Sequence, residues 1–169
     1  RQAVSFALDR ELWSKTRGNG LTEAATSIVG KNNVMYSTKN FPTFNLAKAK
    51  EKVAAYKTET GKALDISVPI TDTAESTAEA TMFCTMMKAA GAGCSLMAPV
   101  TSTAYILRGF GLKQQTTEFN TLSGTFAEFG LLFLTDTNLE LSGFRFTNPA
   151  LAACFKNAQM VALKGDATP

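Results

Sequence analysis

Three cysteines and a scattering of carboxylates are the residues with reactive chemistry to offer, and the chain has no histidine to activate them. That removes the usual general base, the commonest metal ligand and the physiological pH switch together. Cys84, Cys94 and Cys154 are far apart and show no C-x-x-C spacing, so they cannot supply the four ligands of a structural zinc site. Each sits in an apolar run, which predicts three buried small side chains; a disulfide between two of them is the alternative that export would permit. Cys94 as a nucleophile lacks a base. Glu118, Glu128, Asp136 and Glu140 could furnish a glycosidic carboxylate pair, but spacing does not pair them. Gly91-Ala92-Gly93 closes a predicted helix rather than opening one, and no Gly-Lys-Ser/Thr follows, which argues against a phosphate loop. An α/β hydrolase-like domain using a cysteine or carboxylate therefore stays only as the alternative reading.

Binding chemistry is better served. Ser123-Gly124-Thr125-Phe126 follows a predicted strand that ends at Leu122, and ligands of open α/β sheets sit beyond the carboxyl ends of strands. Glycine allows close backbone approach, the hydroxyls offer short hydrogen-bonding groups, and Phe126 offers a flat apolar wall. The competing reading makes Gly124 a turn and Phe126 a core residue.

Several elements must position that segment. A first helix is predicted over Arg1–Thr16, burying Val4, Ala7, Leu8 and Leu12, and broken by Arg17-Gly18-Asn19-Gly20. Residues 21–44 show no period and read as a long ordered loop, a feature that often lines a site. Asn45 caps a helix carrying Leu46, Ala49, Val53 and Tyr56, which stops near Thr60-Gly61-Lys62. Leu64, Ile66 and Val68 alternate as a half-buried strand. Asp72-Thr73-Ala74-Glu75 reads as a capping box with Asp72 at the cap, opening a helix with Met82, Phe83, Met86 and Met87 among its core candidates. Cys94, Leu96 and Ala98 begin a second strand, so residues 64–99 make a βαβ unit with parallel pairing. A helix over Ser102–Phe110, strands near Glu118–Leu122 and Leu131–Leu134, and a last helix opened by Asn148-Pro149 complete the pattern. The fold class is α/β, with a mixed, mainly parallel sheet flanked by helices, in one domain over residues 1–169.

The opening run Arg1-Gln2-Ala3-Val4-Ser5-Phe6-Ala7-Leu8-Asp9-Arg10 is similar to the "R-x-A-hydrophobic-x-x-A-hydrophobic-D-R" segment of the peptide- and nickel-class (family 5) solute-binding proteins of bacterial ABC importers. Further segments resemble that family in the same order. Phe44 through Lys50 is similar to its "Y-D-P-x-K-A-K", and Thr60-Gly61-Lys62 likewise precedes a strand. Met87 through Leu96 is similar to "L-K-x-x-G-I-x-V-x-L", Glu118-Phe119-Asn120 to "x-F-D", and Ser142 through Pro149 to "G-F/Y-x-N-P". The resemblance implies one lobe, the larger, of a two-lobed periplasmic-binding-protein-like fold, and the uncapped start at Arg1 leads us to expect a piece of a longer chain. It further implies capture of a small polar solute, a short peptide before others, and delivery to an ABC permease in the membrane. The location would be periplasmic or otherwise extracytoplasmic, with lipoprotein anchoring one option. No catalysis, metal or cofactor belongs to this reading.

Two departures from the family bear on the ligand. The acid usually found shortly after Asn-Pro is replaced by Ala150-Leu151-Ala152-Ala153. Where peptide binders carry "G-W-x-x-D", this chain has Thr125-Phe126-Ala127-Glu128-Phe129, so the covering aromatic becomes Phe126 and the acid moves to Glu128. The expected ligand-binding set is thus Ser123, Gly124, Thr125, Phe126 and Glu128.

Charge adds an exclusion. The net charge of +3 is uneven, with eleven Lys/Arg against five Asp/Glu in residues 1–62. Lys48, Lys50, Lys52 and Lys57 spread around one helix beside Glu51 and Glu59 without interleaved stacking aromatics, which reads as a solvated face and not a nucleic-acid surface.

Overall fold

The apolar stripe Val4-Ala7-Leu8 does start a helix, but the helix predicted over Arg1–Thr16 is two. α1 (Gln2–Ala7) ends where Leu8 turns extended, and α2 (Arg10–Arg17) restarts two residues later. Asp9 is the cause: its carboxylate accepts from the Leu12 amide at 2.9 Å, capping α2 instead of continuing α1. Leu12 is consequently 48% exposed rather than buried. The computed structural model describes residues 1–27, 29–32, 36–110, 116, 149–150, 153–154 and 157.

The other early elements follow the sequence closely. Asn45 caps α3 (Leu46–Thr60) by accepting from the Lys48 amide at 2.9 Å, and Gly61 ends it at φ 70, a left-handed conformation that suits glycine. β1 (Asp65–Val68) alternates as expected, with Ile66 and Val68 turned into the core. α4 (Ala74–Ala89) then leads through Gly91, at φ 88, to β2 (Gly93–Leu96). The two strands pair in parallel, Ile66 opposite Cys94 and Val68 opposite Leu96. The ladder continues past their ends: Met97 donates to the Val68 carbonyl at 2.8 Å and Val100 to that of Ile70 at 3.1 Å. This is the anticipated βαβ unit. α5 (Ser102–Phe110) takes the predicted span.

One cap differs from expectation. The residue capping α4 is Thr73, not Asp72; its hydroxyl accepts from the Ser76 amide at 3.2 Å. Ser76 reciprocates by accepting from the Thr71 amide at 3.0 Å, so a hydroxyl pair does the work assigned to Asp72 and Glu75.

Among the described residues Met87 is the largest fully buried side chain, and it shares one cluster with Ala7, Ala49, Ile66, Val68 and Met86. Met82 and Phe83 are only partly buried and pack against that cluster. α1 lies on α3 and on α4, and α4 lies on β2. A disulfide joins Cys84 of α4 to Cys94 of β2, with both cysteines buried. Cys154, expected inside, is exposed. Ala150, Ala153 and Asn157 are exposed with it, at the spacing of one helix face.

By contacts the chain divides into two compact units, one of Arg1–Tyr105 with Gln114–Thr117 and one of Ile106–Lys113 with Glu118–Pro169. In the second, Pro149, Ala150, Ala153, Cys154 and Asn157 are helical, in keeping with the helix expected after Asn148-Pro149. The strands expected near Glu118–Leu122 and Leu131–Leu134 fall outside the described residues.

Candidate functional site

Ser123, Gly124, Thr125, Phe126 and Glu128 also lie outside the described residues. The structure describes the carboxyl ends of β1 and β2. Beyond Val68 the chain runs through the buried Pro69 and Ile70 to Thr71, which bridges in parallel to Val100, and the Asp72 amide donates to the Val100 carbonyl at 3.1 Å. Each strand hands over to a helix through a hydroxyl cap. Thr73 opens α4, and Thr101 opens α5 by accepting from the Ala104 amide at 3.3 Å. Thr71 and Thr73 hydroxyls also meet at 3.0 Å. These short polar groups therefore fix the starts of the helices that follow both strands. Thr116 comes to the flank of β1, donating to the Ser67 carbonyl at 3.5 Å.

The long loop predicted over 21–44 carries no helix or strand among its described residues, and it is pinned from several sides. Ser14 donates to the Thr22 carbonyl. Thr26 and Tyr36 hydroxyls meet at 2.8 Å, and the Ser37 amide donates to Ser27, a buried polar residue, at 3.3 Å. Arg10 holds the far end, donating from Nη1 to the Pro42 carbonyl at 2.8 Å with its guanidinium 4.9 Å over the Phe41 ring. Partial burial draws the Arg10 pKa below its ordinary value. The exposed Lys31 is shifted the other way by its hydrogen bond and charge pairing with Glu23.

Arg17 ties α2 to α4, with Nη2 at 3.4 Å from both Glu75 and Glu79. Sequence reading missed the structural roles of Arg10 and Arg17.

Among the described residues no group of three His, Cys, Asp or Glu could hold a metal ion. Cys84 and Cys94 are consumed in a disulfide, and the exposed Cys154 thiol has no histidine anywhere in the chain to deprotonate it.

No family model and no curated protein matches the sequence. Solved structures do match the fold. Among them is the oligopeptide-binding protein AppA of Bacillus subtilis, solved with a nonapeptide, at TM-score 0.78 and 18% identity over 93% of this chain and 34% of that one. The ABC transporter substrate-binding protein CtaP of Listeria monocytogenes matches at 0.70 and 20% identity, over 92% of this chain and 33% of its own. NikZ of Campylobacter jejuni, solved with Ni(L-His), matches at 0.73 and 12% identity, over 94% and 35%. The chain thus spans about a third of the length of these proteins. It has their periplasmic-binding-protein-like α/β fold.

Proposed function

We propose that this chain is part of the larger ligand-binding lobe of an extracytoplasmic solute receptor that feeds an ABC importer, with a short peptide as its ligand. The observation that carries the proposal is the fold likeness to an oligopeptide-binding protein over 93% of the chain. It gains force from the sequence, where the segments resembling family 5 occur in the family's order. The chain's third-length coverage of its structural neighbours fits one lobe of a larger protein.

Capture by such a receptor makes and breaks no bond. The ligand touches both lobes only in the closed state and so shifts the population toward it. Delivery then needs a membrane permease as partner, and neither cofactor nor nucleic acid enters. The buried Cys84–Cys94 disulfide supports an oxidising, extracytoplasmic compartment. Among the described residues no helix is long and apolar enough to cross a membrane.

Within this reading Phe126 stacks over the solute, Glu128 pairs with a cationic group such as a peptide amino terminus, and Ser123, Gly124 and Thr125 supply close polar contacts. Their place after a predicted strand end, where the resembling family keeps an aromatic and an acid, supports the assignment. Calorimetric titration of the whole receptor with a mixed peptide pool tests it. Saturable binding should weaken by about 2 kcal/mol or more in Phe126→Ala, and by ~2–5 kcal/mol in Glu128→Gln if that pair is desolvated. Unchanged affinity in both variants would assign these side chains elsewhere, and loss in Phe126→Ala alone would point to a neutral ligand such as an oligosaccharide.

A further inference from the structure

Capture of a solute makes no use of the chain's cross-link. Cys84 lies within α4 and Cys94 in β2, ten residues on, with Gly91 turning the chain between them. Cys84 is 3% exposed and Cys94 6%, and both belong to the cluster that contains Met87, Ile66 and Val68. Thiol–disulfide exchange needs a thiolate to reach a sulfur in line, and burial denies that access. In the folded chain the bond is therefore closed to oxidants and reductants alike. It can form only while α4 stands off β2, and it can break only when the helix opens again.

β2, on which α4 lies, and its partner β1 are short, four residues each among those described. A sheet so small depends on the packing of its helix for stability. The bridge fastens that helix to the second strand across ten residues, which removes freedom from the unfolded chain.

We propose that Cys84 and Cys94 are an oxidative modification site on which folding of the βαβ unit depends, served by a partner that carries a reactive disulfide. One cysteine thiolate attacks the partner's disulfide, forming a mixed disulfide and releasing one partner thiolate. The second cysteine, as thiolate, then attacks the chain sulfur of that mixed bond and expels the partner's remaining sulfur. The partner leaves as a dithiol, having taken up two electrons, with the two protons coming from the chain's thiols. The proposal stands on burial and topology and does not depend on what the receptor binds.

Cys154 provides an internal reference, because its thiol is exposed. The oxidised 169-residue chain is treated with dithiothreitol, and free thiols are trapped over time with a maleimide and located by peptide mass mapping. Cys154 should label at once, while Cys84 and Cys94 appear at least about tenfold more slowly and speed up as urea is added below the unfolding transition. The fully reduced chain should melt about 5–10 °C lower than the oxidised one. After denaturation and reduction, near-ultraviolet circular dichroism should return fully with glutathione disulfide and incompletely with dithiothreitol alone. Cys154→Ser should change none of this. Reduction of the bridge at the rate at which Cys154 labels, without response to urea, would overturn the proposal, as would equal melting temperatures for the oxidised and reduced chains.

Discussion

Arg10 fastens the start of the chain to Pro42, 32 residues away, by donating from Nη1 to its carbonyl at 2.8 Å while lying over the ring of Phe41. The contact ends the long loop at the point where Asn45 begins α3, and the Asn45 amide is itself held by the Phe6 carbonyl at 2.9 Å. α1, α2 and α3 are thereby joined through one guanidinium and one amide. Arg10 stays cationic at neutral pH despite the downward pull of burial, so the clasp has no switch near physiological pH.

Removing that clasp should cost more than a surface arginine would. A hydrogen bond from a charged donor is worth about 1.5–3 kcal/mol, and a partly exposed cation–π contact ~0.5–1 kcal/mol. Arg10→Ala is expected to destabilise the chain by about 2–3 kcal/mol in urea unfolding. Arg10→Lys should recover part of this, because a point charge can replace the donor but not the planar stack. Amide exchange near residues 41–45 should quicken in the alanine variant, and protection unchanged there would dissociate Arg10 from the loop.

The core offers a sharper contrast between neighbours. Met87, 1% exposed, should lose about 2–5 kcal/mol on replacement by alanine, since a cavity is left among Ile66, Val68 and Met86. Phe83, also a core candidate by sequence, is only partly buried, so Phe83→Ala should fall below the ~3–5 kcal/mol of an enclosed aromatic. Thermal melts of both variants settle the order. A larger loss at Phe83 would mean that α4 is rotated from the orientation described.

Caps supply a third test because the structure moves one of them by a residue. Thr73→Ala and Asn45→Ala should each cost about 1 kcal/mol, each leaving a helix-start amide without its acceptor. Asp72→Ala should cost little, since Asp72 is exposed and Thr73 caps in its place. Equal losses at 72 and 73 in urea titrations would restore Asp72 as the cap.

These particulars show what the sequence could and could not disclose. Leu64, Ile66 and Val68 alternate so regularly that β1 was legible, and Asn45 and Gly61 bracket α3 because only certain residues suit those positions. The break at Asp9 was not, since an acid inside an apolar stripe reads equally as a solvent-facing helix position. Asp72 and Thr73 are both good caps, and sequence has no means of choosing between adjacent ones. The Cys84–Cys94 bond depends on how α4 turns back through Gly91, a tertiary fact that left two cysteine readings open. The binding segment proposed at 123–128 rests on its place after a predicted strand and on family likeness, and it lies outside the described residues.

Arg17 carries the last prediction, because its two carboxylates are equally near but unequally sheltered. Nη2 is 3.4 Å from Glu75, whose side chain is 76% exposed, and 3.4 Å from Glu79, which is 20% exposed. Coulomb attraction at equal distance is stronger where less water intervenes, and salt screens the exposed pair first. A double-mutant cycle should therefore give a coupling of ~1 kcal/mol for Arg17 with Glu79 and under about 0.5 kcal/mol for Arg17 with Glu75. Raising the salt to about 1 M, where the Debye length falls to roughly 3 Å, should abolish the second coupling and leave much of the first. The arginine is also imperfectly satisfied: among the described residues its Nε is buried without a hydrogen-bond partner. Lysine has no such group, so Arg17→Lys should cost under about 1 kcal/mol, whereas Arg17→Ala forfeits the attraction to Glu79 and the packing of the long side chain. Equal couplings for the two glutamates in low salt would show that distance, and not burial, governs how α2 is held to α4.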